Sequence, residues 1–256
     1  MKKKTRININ TSFKIYLKVL LSFIINKYPP KKKFENDLKN FFLTENLLLT
    51  SQGRVAAFNI FKVILTSKKN EILISPYTLT EVINAIKYAG GKPVYVEIDI
   101  KKGLPLEKDL DKKINENTAG LVITHLYSNK EDILNFKYKY EKKIKIVEDV
   151  AINFGAKIDQ YNFLGTIFDY SFFSFGVMKN LCTFHGGVIF AKDKSKLFEI
   201  EQNLNKNIKY PTFDSLKLLF FCILIDFFYS KYIYNFFTHY ILSIPLKKLD
   251  QLMYPG

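Results

Sequence analysis

The sequence predicts an α/β fold built on a largely parallel sheet, and three observations carry that expectation. Short runs of β-forming residues recur from about Asn70 to Lys192. Stretches compatible with helix separate them, the alternation from which layered α/β domains are built. With 256 residues and 48% hydrophobic content, the chain can also bury a sizeable core.

In order, the runs are Ile72-Leu73-Ile74, Pro93-Val94-Tyr95-Val96, Leu121-Val122-Ile123, Ile144-Lys145-Ile146-Val147, Tyr170-Ser171-Phe172-Phe173 and Val188-Ile189-Phe190. Between the first two, Leu79, Val82, Ile83 and Ile86 follow helical spacing and Gly90-Gly91 ends the helix, giving one strand–helix–strand unit. Gly90-Gly91-Lys92-Pro93 is not a phosphate loop, because the first glycine, the spacing and the Ser or Thr after the lysine are missing. Lys31-Lys32-Lys33 after Pro29-Pro30 reads as an exposed turn.

After about Lys194 the character changes. Leu216 to Leu246 is crowded with Phe, Tyr, Leu and Ile, broken by Lys217, Asp226, Lys231 and His239. Its longest stretch free of Lys, Arg, Asp and Glu, Tyr232 to Leu246, falls short of the ~20 apolar residues that a membrane span needs. Packing into the fold or a subunit interface is expected, with membrane-surface contact through 216–246 as the alternative. Three segments result: an N-terminal helical arm (1–48), an α/β domain (49–195) and a hydrophobic helical tail (196–256).

The net charge of +15 comes from 39 basic and 24 acidic residues, but only Arg6 and Arg54 are arginine. Base and phosphate readout favours the guanidinium fork, so no nucleic-acid partner is expected. Cys182 and Cys222 stand forty positions apart, with neither a metal-ligand spacing nor a disulfide framework, and fit a reducing cytoplasm. The N-terminal apolar run is interrupted by Lys14 and Lys18 and is followed by no small-residue cleavage site, so no signal peptide is expected.

Chemistry concentrates at two strand ends. Ile146-Val147-Glu148-Asp149-Val150-Ala151 reads as a buried strand ending in carboxylates, and Ser174-Phe175-Gly176-Val177-Met178-Lys179-Asn180 delivers a hydroxyl and an amine into a turn after another strand. A strand-end Asp with a downstream Ser-x4-Lys is what a pyridoxal phosphate (PLP) site requires. The amine bonds to the cofactor, the carboxylate keeps the pyridine nitrogen protonated, and a hydroxyl with helix-start N–H groups binds the phosphate. His125 also stands at a strand end, but no second histidine or cysteine accompanies it in a ligand spacing, so a satisfied structural histidine is expected and no metal site.

Five ordered stretches carry a resemblance to a known family. They are Ser51-Gln52-Gly53-Arg54-Val55-Ala56-Ala57; Ser75-Pro76-Tyr77-Thr78 with Ala89-Gly90-Gly91-Lys92-Pro93-Val94; Thr124-His125-Leu126-Tyr127; Glu148-Asp149-Val150-Ala151 with Phe154-Gly155-Ala156; and Ser174 to Lys179 with Gly186-Gly187. From about Leu49 to Asp193 the chain resembles the DegT/DnrJ/EryC1/StrS PLP-dependent sugar aminotransferases. The resemblance implies the large domain of an aspartate-aminotransferase-type (fold type I) enzyme, a mostly parallel sheet flanked by helices. It makes 49–195 the PLP-binding domain. It implies Lys179 as the lysine bonded to the cofactor and the proton shuttle, Asp149 as partner of the ring nitrogen, Ser174 as phosphate ligand and Gly53-Arg54 as the phosphate-side turn. The implied reaction is a ping-pong transfer of an amino group from glutamate to a nucleotide-linked keto sugar, in polysaccharide or glycoconjugate synthesis, by a cytoplasmic homodimer.

The chain departs from the family's pattern in four places. Ile152 stands where relatives place Gln or His against the ring hydroxyl; Leu79 replaces an aromatic that stacks on the pyridine; His185 precedes the Gly-Gly pair where Glu, Asp or Gly is common. The family's C-terminal small domain does not fit into the residues available, so it is expected to be largely missing. Two rival readings follow: a catalytically impaired PLP-fold remnant or binding subunit, and a membrane-surface or assembly module that uses the aromatic tail.

Overall fold

The structure is a computed structural model and describes residues 12–25, 31–177, 179–206, 213–230, 233–234 and 236. Its elements in chain order are α1 (Phe13–Ile24), α2 (Lys31–Phe42), β1 (Leu47–Thr50), α3 (Gly53–Ile64), β2 (Glu71–Ile74), α4 (Thr80–Tyr88), β3 (Lys92–Tyr95), β4 (Ile98–Asp99), β5 (Leu104–Pro105), α5 (Glu107–Lys113), β6 (Thr118–Thr124), α6 (Lys130–Tyr140), β7 (Ile146–Asp149), β8 (Tyr170–Ser174), β9 (Gly187–Ala191), α7 (Lys194–Lys206) and α8 (Phe213–Tyr229). All six strand runs named above are present. β1, β4 and β5 are additions, and β1 crosses the boundary between 48 and 49.

Seven strands form one sheet in the order β1-β9-β8-β7-β6-β2-β3. Pairing is parallel from β3 through β8, while β9 runs antiparallel to both β8 and β1. The alternation of side chains divides the core into two layers. Ile72, Ile74, Val122, Val147, Phe172 and Ile189 belong to a cluster with Ile60, Phe61, Ile86 and Ile200 of α3, α4 and α7. Leu73, Leu121, Ile123, Ile146, Phe173 and Val188 belong to another with Leu38, Phe42, Phe136 and Tyr140 of α2 and α6. Strands covered on both faces are apolar at nearly every position, which is why these runs were readable without alternation.

α4 starts one residue after Leu79 and ends where expected. Gly90, at φ +93°, adopts the left-handed conformation that a side chain resists, and the Gly91 N–H donates to the Ile86 carbonyl at 2.9 Å.

One compact unit comprises Pro30–Lys209; the other comprises Met1–Pro29 with Tyr210–Gly256. The α/β unit therefore extends beyond 49 and 195 in both directions. Leu38 and Phe42 of α2 are buried in its core, as is Ile200 of α7, because each of these helices turns an apolar stripe to the sheet. No helix among the described residues is long and apolar enough to cross a membrane. Of the charge-free run 232–246, only residues 233, 234 and 236 are described.

Candidate active site

The parallel strands deliver their C-terminal ends to one rim of the sheet, where α/β folds bind ligands. β7 ends at Asp149 and β8 at Ser174, neighbouring parallel strands in which Asp149 pairs in register with Phe172. A cavity of about 240 Å3 opens there, and its lining includes Gly53, Arg54, Leu79, Asp149, Ser174 and Lys179. Those are six of the seven residues singled out in the sequence. Ile152 is not in the lining; it is 45% exposed, and its carbonyl accepts from Asn180 Nδ2 at 2.8 Å, a bond that ties the Lys179 turn to the segment after β7. Leu79, 55% exposed, offers the cavity an apolar contact only.

Two glycines allow the close approach that builds one end of the cavity. A Cβ on Gly53 would lie 2.7 Å from Ser174 Cβ, and one on Gly187 would lie 2.8 Å from Gly53 N. The first turn of α3 therefore sits directly against the ends of β8 and β9. Its N-cap residue, Gln52, makes no side-chain capping bond. Instead the Gln52 amide is held sideways: its Oε1 accepts from Arg54 Nε at 2.5 Å, and its Nε2 bonds His185 Nδ1 at 3.0 Å. The first-turn N–H groups of α3 keep their capacity to bind an anion, with the Ser174 hydroxyl and the Arg54 charge beside them. Burial, and then Arg54, push the His185 pKa down, favouring the neutral ring.

At the other end, Asp149 is buried, and one carboxylate oxygen accepts from the Ala151 N–H at 3.1 Å. No described side chain hydrogen-bonds to it. Burial pushes its pKa up, while the Ala151 N–H and the charges of Lys179 and His125 pull the other way. Between the ordinary aspartate range and this raised value the native state binds more protons than the unfolded chain, so stability falls as pH rises through that window. Asp149→Asn, neutral throughout, is expected to raise the thermal midpoint of the ligand-free chain at neutral pH and to leave it unchanged at acid pH. A lowered midpoint at neutral pH would show that the carboxylate already has an internal cationic partner.

The residue before it was not singled out for a role. Glu148 points to the opposite side of β7 and is fully buried. Oε1 accepts from His125 Nε2 and from the Gly165 N–H, both at 3.0 Å, and Oε2 from the Ile167 and Phe168 N–H groups at 3.2 and 3.1 Å. His125 is thereby bonded through one ring nitrogen, and its buried Nδ1 has no partner among the described residues. The only sequence signal for this arrangement was strand alternation, which sends adjacent carboxylates to opposite faces. Gln52 and His185 were quoted in the sequence, but nothing there paired them.

The DegT/DnrJ/EryC1/StrS aminotransferase family model matches residues 9–209. The chain belongs to this family. Among its relatives, a GDP-perosamine synthase of Escherichia coli O157:H7 is 28% identical over 165 residues, which cover 64% of this chain and 45% of that protein. A dTDP-4-amino-4,6-dideoxy-D-glucose transaminase of Shigella dysenteriae is 28% identical over 183 residues, 70% of this chain and 48% of the relative. The chain spans about half the length of these curated relatives. Among solved structures, the Helicobacter pylori aminotransferase PseC superposes with a TM-score of 0.65 at 20% identity, over 78% of this chain and 55% of that one. A Streptococcus pneumoniae neighbour in its PLP-form gives 0.63 at 18% identity, over 78% and 56%. The family fold, an α/β large domain with a mostly parallel sheet between helices, is the one the sequence predicted.

Proposed function

We propose that this family member binds pyridoxal phosphate in the 240 Å3 cavity and transfers an amino group from glutamate to a nucleotide-linked keto sugar. The observation that carries the reading is the meeting of three unlike groups in one lining: the buried Asp149, the Lys179 amine, and the uncapped start of α3 with Ser174. The residues fit the cofactor. A buried carboxylate without a side-chain partner suits a protonated ring nitrogen, and the α3 N-terminus, drawn in by Gly53 and Gly187, suits a phosphate. The family relationship and the printed activities of the E. coli and Shigella relatives supply the substrate class.

When bound, pyridoxal phosphate supplies an electron sink for the carbanion at the substrate carbon and a carrier for the amino group. Asp149 holds positive charge at the ring nitrogen. Ser174, the α3 N–H groups and Arg54 anchor the phosphate and so fix the ring's orientation. Lys179 takes the proton from the amino donor's α-carbon and returns a proton in the second half-reaction. Two copies of the chain are expected to act together, in the cytoplasm, where Cys182 and Cys222, neither of them in a disulfide, stay reduced.

One observation favours the impaired-remnant reading. Ile152 lies outside the lining and Leu79 cannot stack, so neither position offers the ring the contact that the family's pattern implies there. A single titration separates the two. Added PLP should give an absorbance band that borohydride reduces, and glutamate should bleach it. A band that glutamate leaves intact supports the remnant; no band in the folded protein sinks the transaminase reading.

A further inference from the structure

Residues 1–29 and 210–256 form a compact unit of their own, in which α1 packs on α8 and the Tyr16 hydroxyl donates to Asp226 Oδ2 at 3.0 Å, across 210 positions of sequence. Tyr16 is buried on the side of α1 that meets Asp226, and Cys222 is buried on α8. The outer faces do not look like surfaces made for water. On α1, Lys14, Leu17 and Leu21 lie three or four residues apart and are exposed, with Lys18 beside them and Ile25 in line just beyond the helix. On α8, Leu216, Phe220, Leu224 and Phe227 form an exposed stripe at the same spacing. A helix facing solvent carries polar side chains at such positions.

Charge decides what covers this face. Residues 1–29 contain seven Lys and Arg and no Asp or Glu, and residues 210–256 contain four basic and three acidic residues. Asp226 is already engaged by Tyr16. A second copy would bring its own Lys14 and Lys18 to the interface, whereas an anionic lipid surface offers negative headgroups above an apolar layer. Lysines between apolar side chains suit that boundary, because their stems lie along the hydrocarbon while the ammonium stays at the headgroups. We propose that α1 and α8 together dock this chain on an anionic lipid surface, with the apolar stripes at the acyl boundary and Lys14 and Lys18 among the headgroups. The helices lie on the surface rather than span it, in keeping with their length. This docking does not depend on the cavity or its chemistry.

The test is sedimentation of the full chain with vesicles of phosphatidylcholine alone and of phosphatidylcholine mixed with phosphatidylglycerol. Binding is expected to the mixed vesicles and to weaken as salt is raised. Lys14→Gln with Lys18→Gln should lower the partition coefficient by about thirtyfold, the effect of two lysines near a charged surface. Phe220→Ser with Phe227→Ser, both at exposed positions, should abolish binding without unfolding the chain. Equal binding to both vesicles, or binding to neither, overturns the proposal. A lipid-independent dimer that Phe220→Ser with Phe227→Ser dissolves, with no vesicle binding, assigns the face to a second copy instead.

Discussion

Replacing Lys179 by alanine is expected to leave a folded chain that shows no borohydride-reducible absorbance band with PLP and loses at least about a thousandfold in transamination, within the range that a positioned acid–base group contributes. Lys179 is the only lysine in the lining of the cavity among the described residues, so no neighbouring amine can take its place. It is half-buried in a turn, and its own backbone N–H donates to Gly176 O at 3.2 Å, a bond alanine keeps. Loss of activity should therefore occur without loss of fold. Lys179→Arg sharpens the test: it keeps a positive charge near Asp149 but supplies no amine able to bond to an aldehyde. If arginine restores neither band nor turnover while the thermal midpoint stays near wild type, the amine itself is required. A band that survives in Lys179→Ala would place the reactive amine elsewhere and remove the central residue of the proposed site.

The largest effect on stability is expected at Glu148. Glu148→Ala leaves the His125 ring and the N–H groups of Gly165, Ile167 and Phe168 without their acceptor in a fully buried place. Removing one partner of such a buried cluster costs about 3–5 kcal/mol, against a total of about 5–15 kcal/mol for a typical domain. The urea midpoint should fall accordingly with the slope unchanged. Glu148→Gln should cost less, since its carbonyl still accepts, although the amide turns an NH2 group towards donors. His125→Ala should also cost less, because Glu148 retains three of its four bonds. A change under about 1 kcal/mol for Glu148→Ala would mean that water replaces the carboxylate, and the loop at 165–168 is then held by packing alone. Because Asp149 follows Glu148 on the same strand, cofactor binding by these variants must be compared per folded molecule.

Much of the sheet could be read from the sequence because its strands are buried on both faces. Leu121-Val122-Ile123 and Val188-Ile189-Phe190 are apolar without interruption, which short buried strands share and exposed loops do not. β1 escaped because Leu47-Leu48-Leu49-Thr50 has no periodicity of its own; what makes it a strand is its antiparallel pairing with β9, some 140 positions away. The helices α2 and α7 were assigned to arm and tail for the same reason: their apolar stripes have no meaning until the sheet they cover exists.

The sequence by itself determined the layered α/β class, the family, and the residue types needed for the site, since buried runs, glycine stops and ordered motifs are local properties of a chain. Tertiary structure alone decided which of those residues meet. It brought Gly53 and Arg54 to Asp149, Ser174 and Lys179, left Ile152 outside, and used Glu148 as an internal anchor rather than a cavity group. It also paired Gln52 with His185 across 133 positions and α1 with α8 across 210. Contacts over such distances depend on strand order and on how closely backbones can approach, as at Gly53 and Gly187. Neither quantity is written in any short stretch of residues.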